Sequence, residues 1–203
     1  MTGPHGSLPH EVRAFFGVRA AGWDAKFPGD GPAYAAGVAE LGLRQGQRVL
    51  DAGCGTGRAL PALRAAVGAR GTVLGADLTP EMLTAAVRAG RDACADLLLA
   101  DVARLPLPSS ALDAVFAAGL LSHLPDSAAG LSELARVVRP GGRLALFHPV
   151  GRAALAARKG RRLTPDDLRA EPQLRPLLAR SGWDLVQYTD EDTRYLALAV
   201  RRG

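Results

Sequence analysis

Along this chain, apolar runs of strand length alternate with stretches whose apolar positions follow a helical period. Strands are predicted at 47–52, 72–77, 96–100, 112–118, 143–148, 183–189 and 194–200. Between them lie helical patterns, one over Arg58 to Val67 and another opening at Thr79-Pro80-Glu81. There an N-cap, a proline at the first helical position and an acid in the first turn coincide. Asp126 is a further N-cap, for a helix running to Arg139 and ended by Pro140-Gly141-Gly142. Thr164-Pro165-Asp166-Asp167-Leu168 reads as one more helix start. This alternation predicts βαβ units, hence a parallel sheet with helices on both faces. Only Asp190-Glu191-Asp192-Thr193 joins the last two strands, too short a link for a parallel crossover, so they pair as an antiparallel hairpin.

Composition narrows this picture modestly. A chain of 203 residues suits one domain, large enough to bury roughly 70% of its unfolded surface. The apolar fraction of 48% is ordinary, and no run reaches the ~18 residues of a membrane span. The opening MTGPHGSLPH lacks the basic start and apolar stretch of a secretory signal, so a soluble cytoplasmic protein is expected. Cys54 and Cys94 are too few for a disulfide framework and lack metal or redox spacing, and both read as reduced. Cys54 reads as a small side chain tucked under a turn rather than a catalytic thiol. The net charge of +5 would suit nucleic acid, but the basic residues are scattered. Arg158-Lys159-Gly160-Arg161-Arg162 is their one cluster, and it reads as a solvated helix end.

Candidate chemistry begins where the first strand ends. Val49-Leu50-Asp51-Ala52-Gly53-Cys54-Gly55-Thr56-Gly57 runs from strand into a turn with glycine at every second position, ahead of a helix. Glycine allows positive φ and removes any Cβ that would block a ligand, while the helix N–H groups favour a carboxylate or phosphate. A dinucleotide fingerprint would need glycine at position 58, where Arg58 stands. A P-loop would need Gly-Lys-Ser/Thr, and the first lysine after the turn is Lys159.

The remaining pattern, VLDAGCGTG, resembles motif I of the class I S-adenosylmethionine-dependent methyltransferases, in their small-molecule, type 11-like branch. That resemblance implies an α/β, Rossmann-like three-layer sandwich, with a seven-stranded, mostly parallel sheet and an antiparallel C-terminal hairpin. The hairpin read above agrees with it independently. Residues 1–203 then form one methyltransferase-like domain, divided into a helical lid (1–44), a cofactor-binding core (45–150) and C-terminal helices with the hairpin (151–203).

The implied cofactor is S-adenosyl-L-methionine, with S-adenosyl-L-homocysteine as product and no metal. Asp51 would hold the methionine amino group directly or through water, and it also suits a strand-end acid bonded to the glycine-loop N–H groups. Gly53, Gly55 and Gly57 would border the cofactor. Asp77 lies 77 − 51 = 26 residues after Asp51 at the next strand end, where a carboxylate accepts a ribose diol. Its structural alternative is to help cap the helix at Pro80, a task Thr79 is expected to perform. Leu78 joins the same set. Asp101 would accept the adenine amine, with the Val102 N–H on the ring, against a plain loop-start role. Ala118 and Gly119 would border the methionine end.

Transfer of a methyl group from a sulfonium asks chiefly for alignment, which in well-oriented cases is worth roughly 7–11 kcal/mol. A general base matters only if the acceptor must lose a proton. His123 in Ser122-His123-Leu124-Pro125-Asp126, resembling the H-L-P-D of small-molecule methyltransferases, and His148 at the end of the fifth strand are the candidates, against structural or cofactor-shaping roles. Ala117-Ala118-Gly119-Leu120 stands where enzymes acting on nucleobase or glutamine amides carry Asp/Asn-Pro-Pro-aromatic, and a Pro-Cys nucleophile is absent. A small-molecule acceptor is therefore favoured over nucleic acid. Phe15, Phe16, Trp23, Phe27 and Tyr34 precede the core and suit a lid over an apolar or aromatic acceptor, or equally an amphipathic helix packed on the sheet. Other classes are a catalytically inactive cofactor-binding partner or sensor, an RNA or protein methyltransferase and, least favoured, a nicotinamide reductase.

Overall fold

A computed structural model describes residues 8–203. Residues 1–7, which hold most of the opening MTGPHGSLPH read for a secretory signal and the first seven positions of the expected lid, lie outside the described residues. Seven strands form one sheet: β1 (Arg48–Ala52), β2 (Thr72–Asp77), β3 (Asp96–Leu99), β4 (Leu112–Ala118), β5 (Val138–His148), β6 (Trp183–Glu191) and β7 (Arg194–Arg201). Their spatial order is β3-β2-β1-β4-β5-β7-β6. Strands β1 to β5 pair in parallel, while β7 runs antiparallel to both β5 and β6. The expected α/β Rossmann-like sandwich with its closing hairpin is thus the architecture of the chain.

Seven helices accompany the strands among the described residues: α1 (Pro9–Gly17), α2 (Gly31–Glu40), α3 (Leu60–Val67), α4 (Pro80–Arg88), α5 (Ser127–Val137), α6 (Arg152–Arg158) and α7 (Glu171–Arg180). Alternate strand residues face opposite layers. On one face Val49, Phe116, Phe147 and Leu196 pack with Val38 and Leu41 at α2 and with Leu60, Leu63 and Val67 of α3. On the other, Leu50, Val115, Leu144 and Leu146 pack with Leu131 and Leu134 of α5 and Leu174, Leu177 and Leu178 of α7. The indole N–H of Trp183 donates to Leu131 O at 2.9 Å, so the largest buried side chain leaves no polar atom unmet.

Strand order reverses at β1, which lies between β2 and β4. The chain leaves β1 toward α3 on one face and leaves β4 toward α5 on the other. The two exits part and leave a crevice at the C-terminal edge, the place where open α/β sheets bind ligands.

Several boundaries differ from the sequence reading. The helix expected to run to Arg139 ends at Val137, because β5 begins at Val138. Pro140-Gly141-Gly142 therefore does not stop a helix: it lies in a bulge of β5, between the pairs Leu112↔Val138 and Ala114↔Arg143. Thr164–Leu168 starts no helix either; α7 begins at Glu171 with Pro172 in its first turn. Asp167 accepts from the Arg169 N–H at 2.9 Å and pairs with Arg152 and Arg169, so this carboxylate fastens a loop. The helix after the glycine turn starts at Leu60 rather than Arg58.

Candidate active site

The glycine turn is tied to the end of β2. Cys54 N–H donates to Ala76 O at 2.9 Å, Gly55 N–H donates to Asp77 Oδ2 at 2.8 Å, and Gly57 N–H closes onto Cys54 O at 2.8 Å. Gly53 and Gly55 take φ of 68° and 55°, which favours glycine at both. A Cβ on Gly53 would come within 2.9 Å of Leu120 after β4, whereas at Gly55 the nearest atom is Met82 Sδ at 3.9 Å. Gly53 therefore lets the two loops of the crevice meet, and Gly55 leaves space beside it. Gly57 is buried, and a Cβ there would meet Leu60 at 2.7 Å, so its surroundings are the start of α3. Cys54 is buried with burial raising its thiol pKa, as suits a small side chain under the turn.

Asp51, the fourth residue of β1, is only 2% exposed. Burial, and then the charge of Asp77, push its carboxyl up to about 8. Asp77 is 9% exposed and raised by burial, against hydrogen bonds that favour its charge. Its Oδ1 accepts the Thr79 N–H at 2.8 Å and its Oδ2 the Gly55 N–H. The expectation that Thr79 caps α4 through its hydroxyl is not met, since that side chain makes no capping bond to the helix. Asp77 instead anchors the α4 entrance and the glycine turn together. Two acids so close, both resisting ionisation, make a pocket that a cation would relieve.

The remaining residues lie along the same edge. Leu78, half-buried, follows Asp77, and Val102, buried, follows Asp101. The Asp101 carboxylate accepts the Ala103 N–H at 2.9 Å, a loop-start turn that leaves its other oxygen available. Ala118 ends β4, and Gly119 takes φ of 68° with its N–H on Phe147 O at 2.9 Å. His148 Cδ2 lies 4.0 Å from where a Gly119 Cβ would stand. The His148 Nδ1 is within 2.8 Å of Val150 O and 3.1 Å of Val150 N. Burial, then the charges of Arg169, Lys159 and Arg158, lower its pKa to about 4, although the Val150 bond opposes this. His123 stands edge-on to Phe16 of α1, ring centroids 5.0 Å apart.

Residues outside the sequence reading hold the N-terminal segment onto this turn. Thr56 Oγ1 donates to Asp24 Oδ1 at 2.6 Å, and Arg91 bridges Asp24 Oδ2 at 2.6 Å and Thr56 O at 2.5 Å. Arg58 pairs with Asp30 at 3.3 Å, donates to Phe27 O and lies over the Phe27 and Tyr34 rings. Tyr34 packs on Phe147 at 5.4 Å, and burial, then Asp51, push its hydroxyl up to about 12. No sequence periodicity signals these contacts, because each joins isolated residues 24 or more positions apart on different elements. Of the sequence-derived candidates, Asp51, Asp77, Gly53, Gly55 and Gly119 share the crevice, and His123 and His148 border it on opposite elements.

Residues 50–146, just under half of the chain, match the methyltransferase domain family, in line with the class I S-adenosylmethionine-dependent methyltransferase resemblance of the glycine turn. It is 35% identical over 173 residues to methyltransferase GfsG of Streptomyces halstedii, covering 79% of this chain and 62% of that protein. It is 39% identical over 110 residues to the 27-O-demethylrifamycin SV methyltransferase of Amycolatopsis mediterranei (strain S699), covering 52% of this chain and 40% of that one. A SAM-dependent methyltransferase from Aquifex aeolicus superimposes with a TM-score of 0.69 at 25% identity, over 83% of this chain and 89% of that one. The chain thus spans less than two thirds of the length of these curated relatives, 62% of one and 40% of the other. The family's cofactor is S-adenosylmethionine, and a cationic ligand with a ribose suits two buried acids without a cationic partner, Asp51 and Asp77, beside the glycine turn.

Proposed function

We propose that this chain transfers a methyl group from S-adenosylmethionine to a small-molecule acceptor, with the acceptor atom unassigned. The observation that carries this reading is Asp51: a buried carboxyl beside a second acid, at the rim of a glycine turn, with no cation of its own to offset burial. When bound, S-adenosylmethionine supplies an electrophilic methyl on a sulfonium. Asp51 faces the ammonium of its methionine part, and Asp77 accepts the ribose hydroxyls with lone pairs not taken by Gly55 and Thr79. Leu78, Asp101 and Val102 border the adenine; Ala118 and Gly119 border the methionine end.

Residues 8–44 act as the lid, latched by Asp24 and Asp30 to Thr56, Arg91 and Arg58. Phe16, Trp23 and His123 then form an aromatic wall toward the acceptor, which suits an apolar or aromatic molecule. His148, neutral at pH 7, is too weak a base to take a proton from an unactivated hydroxyl. With Nδ1–H on Val150 O, its Nε2 accepts a hydrogen bond and orients the acceptor. The similarity to an enzyme named for a rifamycin acceptor supports a small molecule. Radiolabel transfer from methyl-labelled cofactor into a panel of hydrophobic phenols, acids and amines tests the reading. Label in an organic acceptor is the expected result. Tight cofactor binding with no transfer to any acceptor would instead identify a binding partner or sensor.

A further inference from the structure

At the outer end of the crevice, past His148, a groove of ≈ 640 Å³ separates α6 from the β6–β7 turn. Its lining is Pro149, Ala153, Ala154 and Ala157, with Arg158 at the end of α6 and Asp192 and Thr193 from the turn. The volume suits a small organic molecule. Register fixes its place: His148 pairs with Tyr195 at the start of β7, so the β6–β7 turn and the loop after β5 meet at the edge where Gly119 lies.

Charge at this corner is unevenly shared. Arg152 pairs with Asp190 and Asp167, and Arg169 with the same Asp167, so these acids are already engaged. Arg158 and Lys159 are exposed and make no ion pair among the described residues. Partial burial, then the charges of Arg161 and Arg169, lower the Lys159 pKa. Asp192 is the one carboxylate among the lining residues, on the turn rather than the helix. Arg158 is the one cation among the lining residues, at the α6 end, and Lys159 follows it in sequence just outside the lining.

Resting on the methyl-transfer reading above, we propose that the acceptor enters through this groove as an organic anion, its carboxylate or phosphate paired with Arg158 and Lys159 and its apolar body on Pro149 and the α6 alanines. A planar guanidinium at a groove end matches such an oxyanion in two-pronged geometry. The cluster read from sequence as a solvated helix end thereby gains a task.

The test uses the full chain saturated with S-adenosylhomocysteine, and calorimetry of aromatic and aliphatic carboxylates and phosphate esters, each against its neutral amide or alcohol. Acids of one class are expected to bind at least tenfold tighter than their neutral partners. That preference should fall below threefold in R158Q/K159Q, while S-adenosylhomocysteine affinity stays within twofold. Both residues are exposed, so the variant should fold; an unchanged melting temperature checks this. Equal binding of acids and neutral partners, no binding of any acid, or a preference that survives R158Q/K159Q overturns the proposal. So does loss in that variant of binding to RNA or to phosphatidylglycerol vesicles with acid binding unchanged. Failure to saturate with S-adenosylhomocysteine would instead count against the methyl-transfer reading itself.

Discussion

An acid held at a pKa of about 8 by burial and a neighbouring carboxylate is mostly protonated at pH 7. A cation placed against it restores the charge, so cofactor binding should release close to one proton near neutrality. Calorimetry in buffers of different ionisation enthalpy measures this release, and Asp51→Asn should abolish it. Affinity should rise with pH and level off above about 8. The same residue sets a stability trend in the unliganded chain. Its folded pKa lies above the unfolded value, so the unfolded state loses the proton first and stability falls as pH rises from about 4 to about 8. Asp51→Asn should therefore raise the melting temperature of the free protein at pH 8 and leave it nearly unchanged at pH 4. His148 has the opposite sense: its folded pKa lies below the unfolded one, so it costs stability as pH falls from about 6.5 to about 4. His148→Gln should remove that component from an acid melting series. Turnover should show no acidic limb near pH 6.5 attributable to His148, and a limb there that disappears in His148→Gln would contradict its assignment as a neutral orienting group.

At the scale of elements, the proposed lid rests on the contacts of Asp24 that tie the N-terminal segment to the glycine turn. Asp24→Ala leaves Thr56 and Arg91 without their partner but touches no residue assigned to the cofactor. It should speed S-adenosylhomocysteine dissociation by roughly tenfold, as loss of charge-assisted hydrogen bonds worth about 1.5 kcal/mol would do, while the melting temperature of the free chain changes little. Stopped-flow displacement measures the rate, and an unchanged rate in both Asp24→Ala and a chain starting at residue 31 would remove the lid. Strand and hairpin positions were legible in the sequence because continuous apolar runs and a four-residue link leave few alternatives. The α5–β5 junction was not, since Pro140-Gly141-Gly142 has the composition of a helix stop and here forms a strand bulge. Thr164–Leu168 misled for a related reason: a capping pattern predicts a helix only if its acid is free, and Asp167 is held by Arg152 and Arg169.

For the molecule as a whole, the sheet reversal at β1 explains why the candidate site was partly readable. Asp51, Asp77 and Asp101 each end or follow a strand, so a linear scan placed them on one edge. What such a scan missed is long-range: the hydrogen bond of Gly55 to Asp77 and the Asp24 latch arise from chain crossings that no local pattern records. No helix among the described residues is long and apolar enough to cross a membrane. The decisive quantity is the affinity of the crevice for its ligand. Calorimetric titration of S-adenosylmethionine, S-adenosylhomocysteine and NADH into the wild-type chain and Asp77→Ala should show binding of both sulfur nucleotides, none of NADH, and loss of both in the variant. At 100 times its dissociation constant the ligand should add about 2.7 kcal/mol to stability, a rise of very roughly 5–10 °C in melting temperature. Absence of binding by either sulfur nucleotide to the folded wild-type chain, or preferential binding of NADH, would contradict the account and leave only the fold.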